Sequence, residues 1–353
     1  MAYVDADAHV FECRDTWQHF DPAERHYGPP EDAATWQVED FTVDPELVPR
    51  VGDYQVYPEG TQDLRNVPAR LAEMDRMQVD VQIVFSTFWL MHDPKDPVRE
   101  AAMHRSWNRW MAGRSTESGG RLRWLCQVPI RDPQRARQEL EFARRHGAVG
   151  VETVGVRYDL PLGHPWFWPL YEQMQDLDMV LAIHVGGSNR IYNRYPEAFY
   201  YNHILPVPGA FHNLIAMDVP KKFPRLKIAF CEAGGSWIPH ALSEKFRTND
   251  RASARVWGDW RARAREYLAQ SNFYVSCLLD DDFAYLAQYI GADRMMIGSD
   301  YSHIDAGTDP DALRIFAGRE DLPSDLQRWM LDDNARRCFG IEPAFQPAGR
   351  VAA

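Results

Sequence analysis

The chain has 353 residues, a formal net charge of -12, 45% hydrophobic and 25% charged residues. These proportions lie near globular averages and exclude collagen-like, coiled-coil and disordered polymers, while the length suits one large barrel or α/β domain spanning residues 1–353. The acidic balance argues against nucleic acid and anionic membranes as partners, since both select a basic footprint.

Cys13, Cys126, Cys231, Cys277 and Cys338 stand singly, with no CxxC pair. That pattern predicts neither a disulfide framework nor a structural zinc site, and it favours a reducing cytoplasm. No stretch approaches the roughly 18 apolar residues of a membrane span, so a soluble cytoplasmic protein is expected.

Short β-branched runs recur along the chain, each passing into a polar and then an amphipathic stretch. The runs fall at 3–9, 81–86, 122–128, 148–154, 180–185, 227–232, 273–277 and 295–299. Helical spacing fills the gaps at 67–77, 98–115, 132–146 and 165–177. Eight strand–helix units predict a closed parallel (β/α)8 barrel. Residues 12–68 are too long for an ordinary strand–helix loop and are expected to form an insertion. A second excursion, 188–211, follows the fifth run and carries Tyr192, Tyr195, Tyr200 and Tyr201. With the Trp166-Phe167-Trp168 cluster, these rings fit either an apolar substrate wall or packed surface that joins copies in a homo-oligomer. The tail, 343–353, is expected to fray.

Barrel enzymes place their chemistry at the carboxyl ends of the strands, and there this chain collects acids and imidazoles. Alternation in Asp5-Ala6-Asp7-Ala8-His9 sets Asp5, Asp7 and His9 on one face, toward the barrel axis. Later strand ends bring Glu152, His184, Glu232, Asp300 and His303. Several carboxylates buried together repel one another, and a metal ion resolves that repulsion.

Asp7-x-His9, His184-Val185-Gly186-Gly187, Glu232-Ala233-Gly234-Gly235-Ser236-Trp237-Ile238-Pro239 and Gly298-Ser299-Asp300-Tyr301-Ser302-His303, in this order, resemble the amidohydrolase-related superfamily over almost the whole chain. The resemblance implies a distorted TIM barrel with Asp7, His9, His184 and Asp300 as metal ligands. The chain departs from the usual hydrolases of that superfamily in three places. Asp7, Glu152 and Glu232 stand where a His, a carboxylated Lys and a His are common. Two imidazoles with four carboxylates then form the inventory of di-iron carboxylate proteins. The set is similar to that of a superfamily branch of non-haem di-iron monooxygenases. That likeness implies two Fe ions, dioxygen as co-substrate, a bulky apolar acyl substrate linked to coenzyme A, as in terpenoid biosynthesis, and an external ferredoxin and reductase. In this first reading Asp7, His9, Glu152, His184, Glu232 and Asp300 hold metal.

The alternative is a metal-dependent hydrolase or non-oxidative decarboxylase with one Zn or Mn on Asp7, His9, His184 and Asp300, and with His303 assisting proton transfer. A barrel that only binds a ligand is the third reading, and it requires that no metal binds. Asp300 and His303 are the catalytic candidates, and Tyr192, Tyr200 and Tyr201 the substrate candidates. Asp5 is expected to orient a ligand imidazole and Glu12 to complete the coordination, or each to pair locally. Glu232 and Glu152 have structural alternatives in a glycine-turn cap and in an outward-facing strand position. Lys221, Lys222 and Arg225 fit coenzyme A phosphates or a solvated basic face. No GxGxxG, Walker or GxSxG pattern points to a nucleotide cofactor or a serine hydrolase.

Overall fold

Strands buried on both faces read as near-continuous apolar runs, and eight such segments build the centre of this molecule. The computed structural model describes residues 3–38, 41–45, 57–187, 203–248, 260–304 and 307–342. The strands are β1 (Tyr3–Val10), β2 (Val79–Ser86), β3 (Leu122–Cys126), β4 (Ala148–Val154), β5 (Val180–His184), β6 (Ile228–Phe230), β7 (Phe273–Cys277) and β8 (Met295–Ile297). They pair in parallel and in sequence order, β1 through β8. The ring closes through a parallel bridge between Ala8 and Tyr301 and through the Asp7 carbonyl, which accepts from the amides of Ser299 at 3.2 Å and Asp300 at 2.9 Å. This is the expected TIM barrel.

Helices lie between the strands. α1 (Val67–Arg76), α2 (Pro97–Glu117) and α3 (Pro133–Arg145) each carry proline in the first turn, where no amide is lost. The side chains of Asn66, Asp96 and Asp132 accept from the amides of Ala69, Val98 and Arg135 and cap them. The stretch 165–177, expected as one helix, divides into a 3-10 turn at Pro165–Phe167 and α4 (Trp168–Asp176). Pro169 has no amide to extend the earlier turn into a ladder. The end of the expected excursion 188–211 is already helical, because Pro206–Ala216 buries Val207, Ala210, Phe211 and Leu214 at helical spacing.

Four strands stop earlier than their composition suggests, the third at Cys126, the fifth at His184, the sixth at Phe230 and the eighth at Ile297. The sixth and eighth end at Phe230 and Ile297 because Glu232 and Asp300 adopt left-handed backbone, with φ of 60° and 53°, and turn the chain out of the sheet. The alternation expected for β1 is also corrected. Its register against β2 shifts between Asp5 and Ala8, and an extra residue in one strand breaks the period of two.

Apolar packing separates the two ends of the barrel. Val4, Ala6, Ile83, Leu125, Val149, Val180 and Ala229 share a buried cluster with Ala335, Cys338 and Phe339 from the helix Asn334–Phe339. That helix seals the amino-terminal side, so the polar groups gather at the opposite mouth. Between β1 and α1, two 3-10 turns and the hairpin Trp36–Val38 with Phe41–Val43 pack Trp17, Trp36 and Val38 against Phe88, Trp89 and Met103. No helix among the described residues is long and apolar enough to cross a membrane.

Gly298 fixes how closely β8 approaches β1, since a Cβ there would lie 2.3 Å from the Cβ of Asp7. Gly298→Ala is expected to cost about 1–3 kcal/mol by forcing the seam apart. Urea unfolding followed by circular dichroism checks this, and an unchanged midpoint would refute the tight seam.

Candidate metal centre

β1 delivers Asp7 and His9, the end of β5 delivers His184, and the turns after β6 and β8 deliver Glu232, Asp300 and His303. Each imidazole is oriented by its far nitrogen. Nδ1 of His184 donates to the Val185 carbonyl at 3.0 Å, and Nδ1 of His9 faces the Ser86 carbonyl at 3.4 Å. Both Nε2 atoms therefore point inward, 3.0 Å apart. Asp7 Oδ1 lies 3.3 Å from each of them. Asp300 Oδ1 lies 3.4 Å from His9 Nε2, and Glu232 Oε2 lies 3.1 Å from His184 Nε2.

Two inward lone pairs among carboxylates require a positive charge between them. Within the chain, a proton on His184 supplies it. Burial opposes that charge, but Asp7 and Glu232 overcome the penalty and lift His184 to about 10. Burial likewise opposes ionisation of Asp7, yet His184 and His9 hold it well below the usual carboxylate range. Burial, then the neighbouring His303, pushes His9 down to about 4. A divalent cation meets the same demand with more charge. Asp7, His9 and His184 form one group of donors close enough to share an ion, and His9, Glu232, Asp300 and His303 form another. A nitrogen and oxygen set without thiolate suits Zn, Mn or Fe.

His303 completes the cluster. Its ring stacks on His9 with centroids 3.9 Å apart, and its Nδ1 lies 2.8 Å from Asp300 Oδ1. Its Nε2 shares a hydrogen bond with the Thr87 hydroxyl at 2.9 Å. Asp300 is steadied by the Thr308 hydroxyl at 2.6 Å. The left-handed backbone at Glu232 and Asp300 is a cost that the surrounding bonds must sustain. For Glu232 the support comes from Asp281, whose carboxylate accepts from the Gly235 amide at 2.8 Å and the Ser236 hydroxyl at 2.7 Å.

The remaining candidates lie outside these groups. Asp5 does not touch an imidazole: it accepts from Ser299 Oγ at 2.6 Å, the Ser299 amide at 2.9 Å and Gln82 at 3.0 Å. The register shift in β1 accounts for the difference. Glu12 accepts from Ser86 Oγ at 2.6 Å and the Phe88 amide at 3.0 Å, and Glu152 accepts from the Ser86 amide at 2.8 Å. Burial raises Glu12 to about 7 and Glu152 to about 8, so both are held toward the neutral acid. Together they clasp Ser86, whose carbonyl orients His9. Tyr192, Tyr200 and Tyr201 lie outside the described residues.

Sequence reasoning passed over Ser86 and Thr87, although the strand-end rule applied to β2 marks them. It also passed over His203, a half-buried imidazole whose carbonyl accepts from the Gly186 amide at 3.0 Å. Burial, followed by the fields of His184 and His303, lowers His203 to about 4. No spacing pattern in the chain singles it out.

The arrangement is a parallel barrel with a candidate metal site at its mouth. A family profile described as amidohydrolase matches residues 4–341, and the chain belongs to that family. A γ-resorcylate decarboxylase from Polaromonas sp. strain JS666 is 25% identical over 261 residues, covering 68% of this chain and 78% of the relative. Among solved structures, an amidohydrolase from Mycobacterium avium subsp. paratuberculosis K-10 has a TM-score of 0.74 at 18% identity, covering 97% of this chain and 98% of that one. The 5-carboxyvanillate decarboxylase of Sphingomonas paucimobilis gives 0.68 at 19% identity, with coverage of 97% and 99%. A dihydroxybenzoic acid decarboxylase from Polaromonas sp. JS666, solved with manganese and 2-nitroresorcinol, gives 0.66 at 19%, with coverage of 97% and 98%.

These relatives overturn one expectation. The di-iron monooxygenase, with its oxidoreductase chemistry, two Fe ions and dioxygen, gives way to the alternative, because the relatives bear the names of decarboxylases and amidohydrolases. Of the four carboxylates in that inventory, Glu152 gives one oxygen to the Ser86 amide and belongs to neither donor group.

Glu152 also makes a pH prediction. Its pKa is raised in the folded chain, so its stabilising effect is complete below about 4.5 and is lost as pH rises through about 8. Glu152→Gln, which stays neutral, should therefore gain stability relative to the parent across that window. Urea midpoints measured from pH 5 to 8.5 test this, and parallel curves would refute it.

Proposed function

We propose that the chain is a non-oxidative decarboxylase that uses one divalent metal, Mn or Zn, on a hydroxylated aromatic carboxylic acid. The observation that carries the reading is the convergence of His9 Nε2, His184 Nε2, Asp7 Oδ1 and Asp300 Oδ1. The decarboxylase relatives support the reaction class and the aromatic acid. Asp7, His9, His184 and Asp300 would hold the metal, with Glu232 beside it. When bound, the metal supplies a Lewis acid that orients the substrate's oxygen atoms and draws off negative charge.

The protein's own groups do the rest. The bond between the ring carbon and the carboxyl carbon breaks, carbon dioxide leaves, and the electron pair left on the ring carbon takes up a proton. His303, held between Asp300 and Thr87, takes up a proton from solvent as an imidazolium and delivers it to that carbon. The stack on His9 keeps its ring in place, and Phe11 covers its edge at 5.5 Å. Phe85 lies against both His9 and His184 and keeps water from the inner side. This reaction consumes neither dioxygen nor electrons, so it requires no ferredoxin or reductase.

The test is anaerobic. Protein loaded with Mn or Zn should contain about one ion per chain and release carbon dioxide from members of a panel of hydroxybenzoates. His184→Ala should abolish metal retention. His303→Gln should keep the metal and lose roughly 100-fold or more in kcat. A metal-loaded chain that decarboxylates none of the panel refutes the reading.

A further inference from the structure

The β8–β1 seam positions both halves of the metal centre, and among the described residues its backbone pairing amounts to a bridge and a few amides. A single cation sits behind it. Arg70, on α1, is 0% exposed. Its guanidinium donates to three different parts of the barrel. Nη2 bonds the His9 carbonyl at 3.1 Å, Nη1 the Thr61 carbonyl at 3.1 Å, and Nε the Gln82 side chain at 2.8 Å. Its plane lies 4.0 Å over the ring of Tyr301. Two of these contacts bear directly on candidate ligands: His9 itself, and the residue that follows Asp300.

A fully buried cation normally requires a carboxylate against it. Among the described residues no carboxylate lies within ion-pair distance of Arg70, although Asp5 and Glu73 act on it through space. The hydrogen-bonded link to an acid runs through a neutral amide, since Gln82 accepts from Arg70 and donates to Asp5 at 3.0 Å, and Asp5 in turn holds Ser299. Arg70 is therefore poorly explained as half of an ion pair. Its three acceptors and its stacked ring match the flat guanidinium fork, which an ammonium group cannot reproduce. The same strip of chain carries further ties. Gln62 donates to the Ser302 carbonyl at 2.9 Å, and the Tyr301 hydroxyl donates to Thr61 at 3.1 Å.

We propose that Arg70 is a positioning residue of the metal centre: its fork and its stack on Tyr301 set the spacing between the ligands on β1 and those after β8. The inference rests on the one-metal reading above. It assigns Arg70 no contact with substrate or metal. Its effect passes through the His9 carbonyl and the Tyr301 ring.

The experiment compares the parent chain with Arg70→Lys, Arg70→Met and Tyr301→Leu, each checked for folding by circular dichroism. Two quantities are read: the dissociation constant for Zn by competition with a chromophoric chelator, and the visible spectrum of the Co-loaded chain. Both Arg70 variants should bind Zn roughly 10–100-fold more weakly and show shifted Co bands, as expected when the support of a ligand is removed. Tyr301→Leu keeps the fork and should move both readings the same way by less. If the Arg70 variants do not fold, Tyr301→Leu decides alone. Parental affinity and spectrum in folded variants would overturn the proposal, and so would full rescue by lysine, which keeps charge without the fork. Failure of the parent chain itself to bind Zn or Co is a separate result that overturns the one-metal reading.

Discussion

Two imidazole nitrogens 3.0 Å apart, ringed by carboxylates in a dry barrel mouth, are the constraint on which the rest of this molecule depends. No apolar packing offsets such an arrangement. It persists only with a positive charge at its centre and with hydrogen bonds that keep each donor from turning away. Most of the polar residues buried near the mouth serve that second need. Ser86 directs His9, Thr308 steadies Asp300, and Asp281 braces the turn that carries Glu232.

The barrel supplies the stiffness these bonds rely on. Its strands pair in sequence order, so His184 sits on a strand locked on either side and Glu232 follows one held the same way. The exception is the seam, where β8 is only three residues long and meets β1 through Asp7, Ala8 and His9. There glycine at 298 permits close approach, and Arg70, Asp5 and Gln62 replace the missing ladder with side-chain bonds. A weak point in the sheet thus coincides with the chemical centre.

Much of this was legible in the chain. The eight apolar runs announced the barrel, because strand burial leaves a strong mark on residue type, and Asp7, His9, His184 and Asp300 marked the polar mouth where the fold gathers them. Glu152 shows where reading by type fails. A glutamate at a strand end looks like a ligand, but one backbone amide at Ser86 decides where its oxygen goes. Asp5 failed for a related reason, since a register shift in β1 breaks the alternation on which its facing was inferred. Nothing in the neighbours of Arg70 along α1 reveals the three carbonyl and amide oxygens that receive it. Such partners are distant in sequence, and only the fold brings them together.

The left-handed backbone at Glu232 and Asp300 has an evolutionary consequence. β-branched residues resist that conformation, whereas glycine, asparagine and aspartate enter it most readily. The range of donors these two positions can sample by drift is therefore narrowed by the main chain as well as by the metal. New chemistry in this barrel has an easier route through His184, Thr87 and His303, whose backbones carry no such restriction, than through the two carboxylates at the turns.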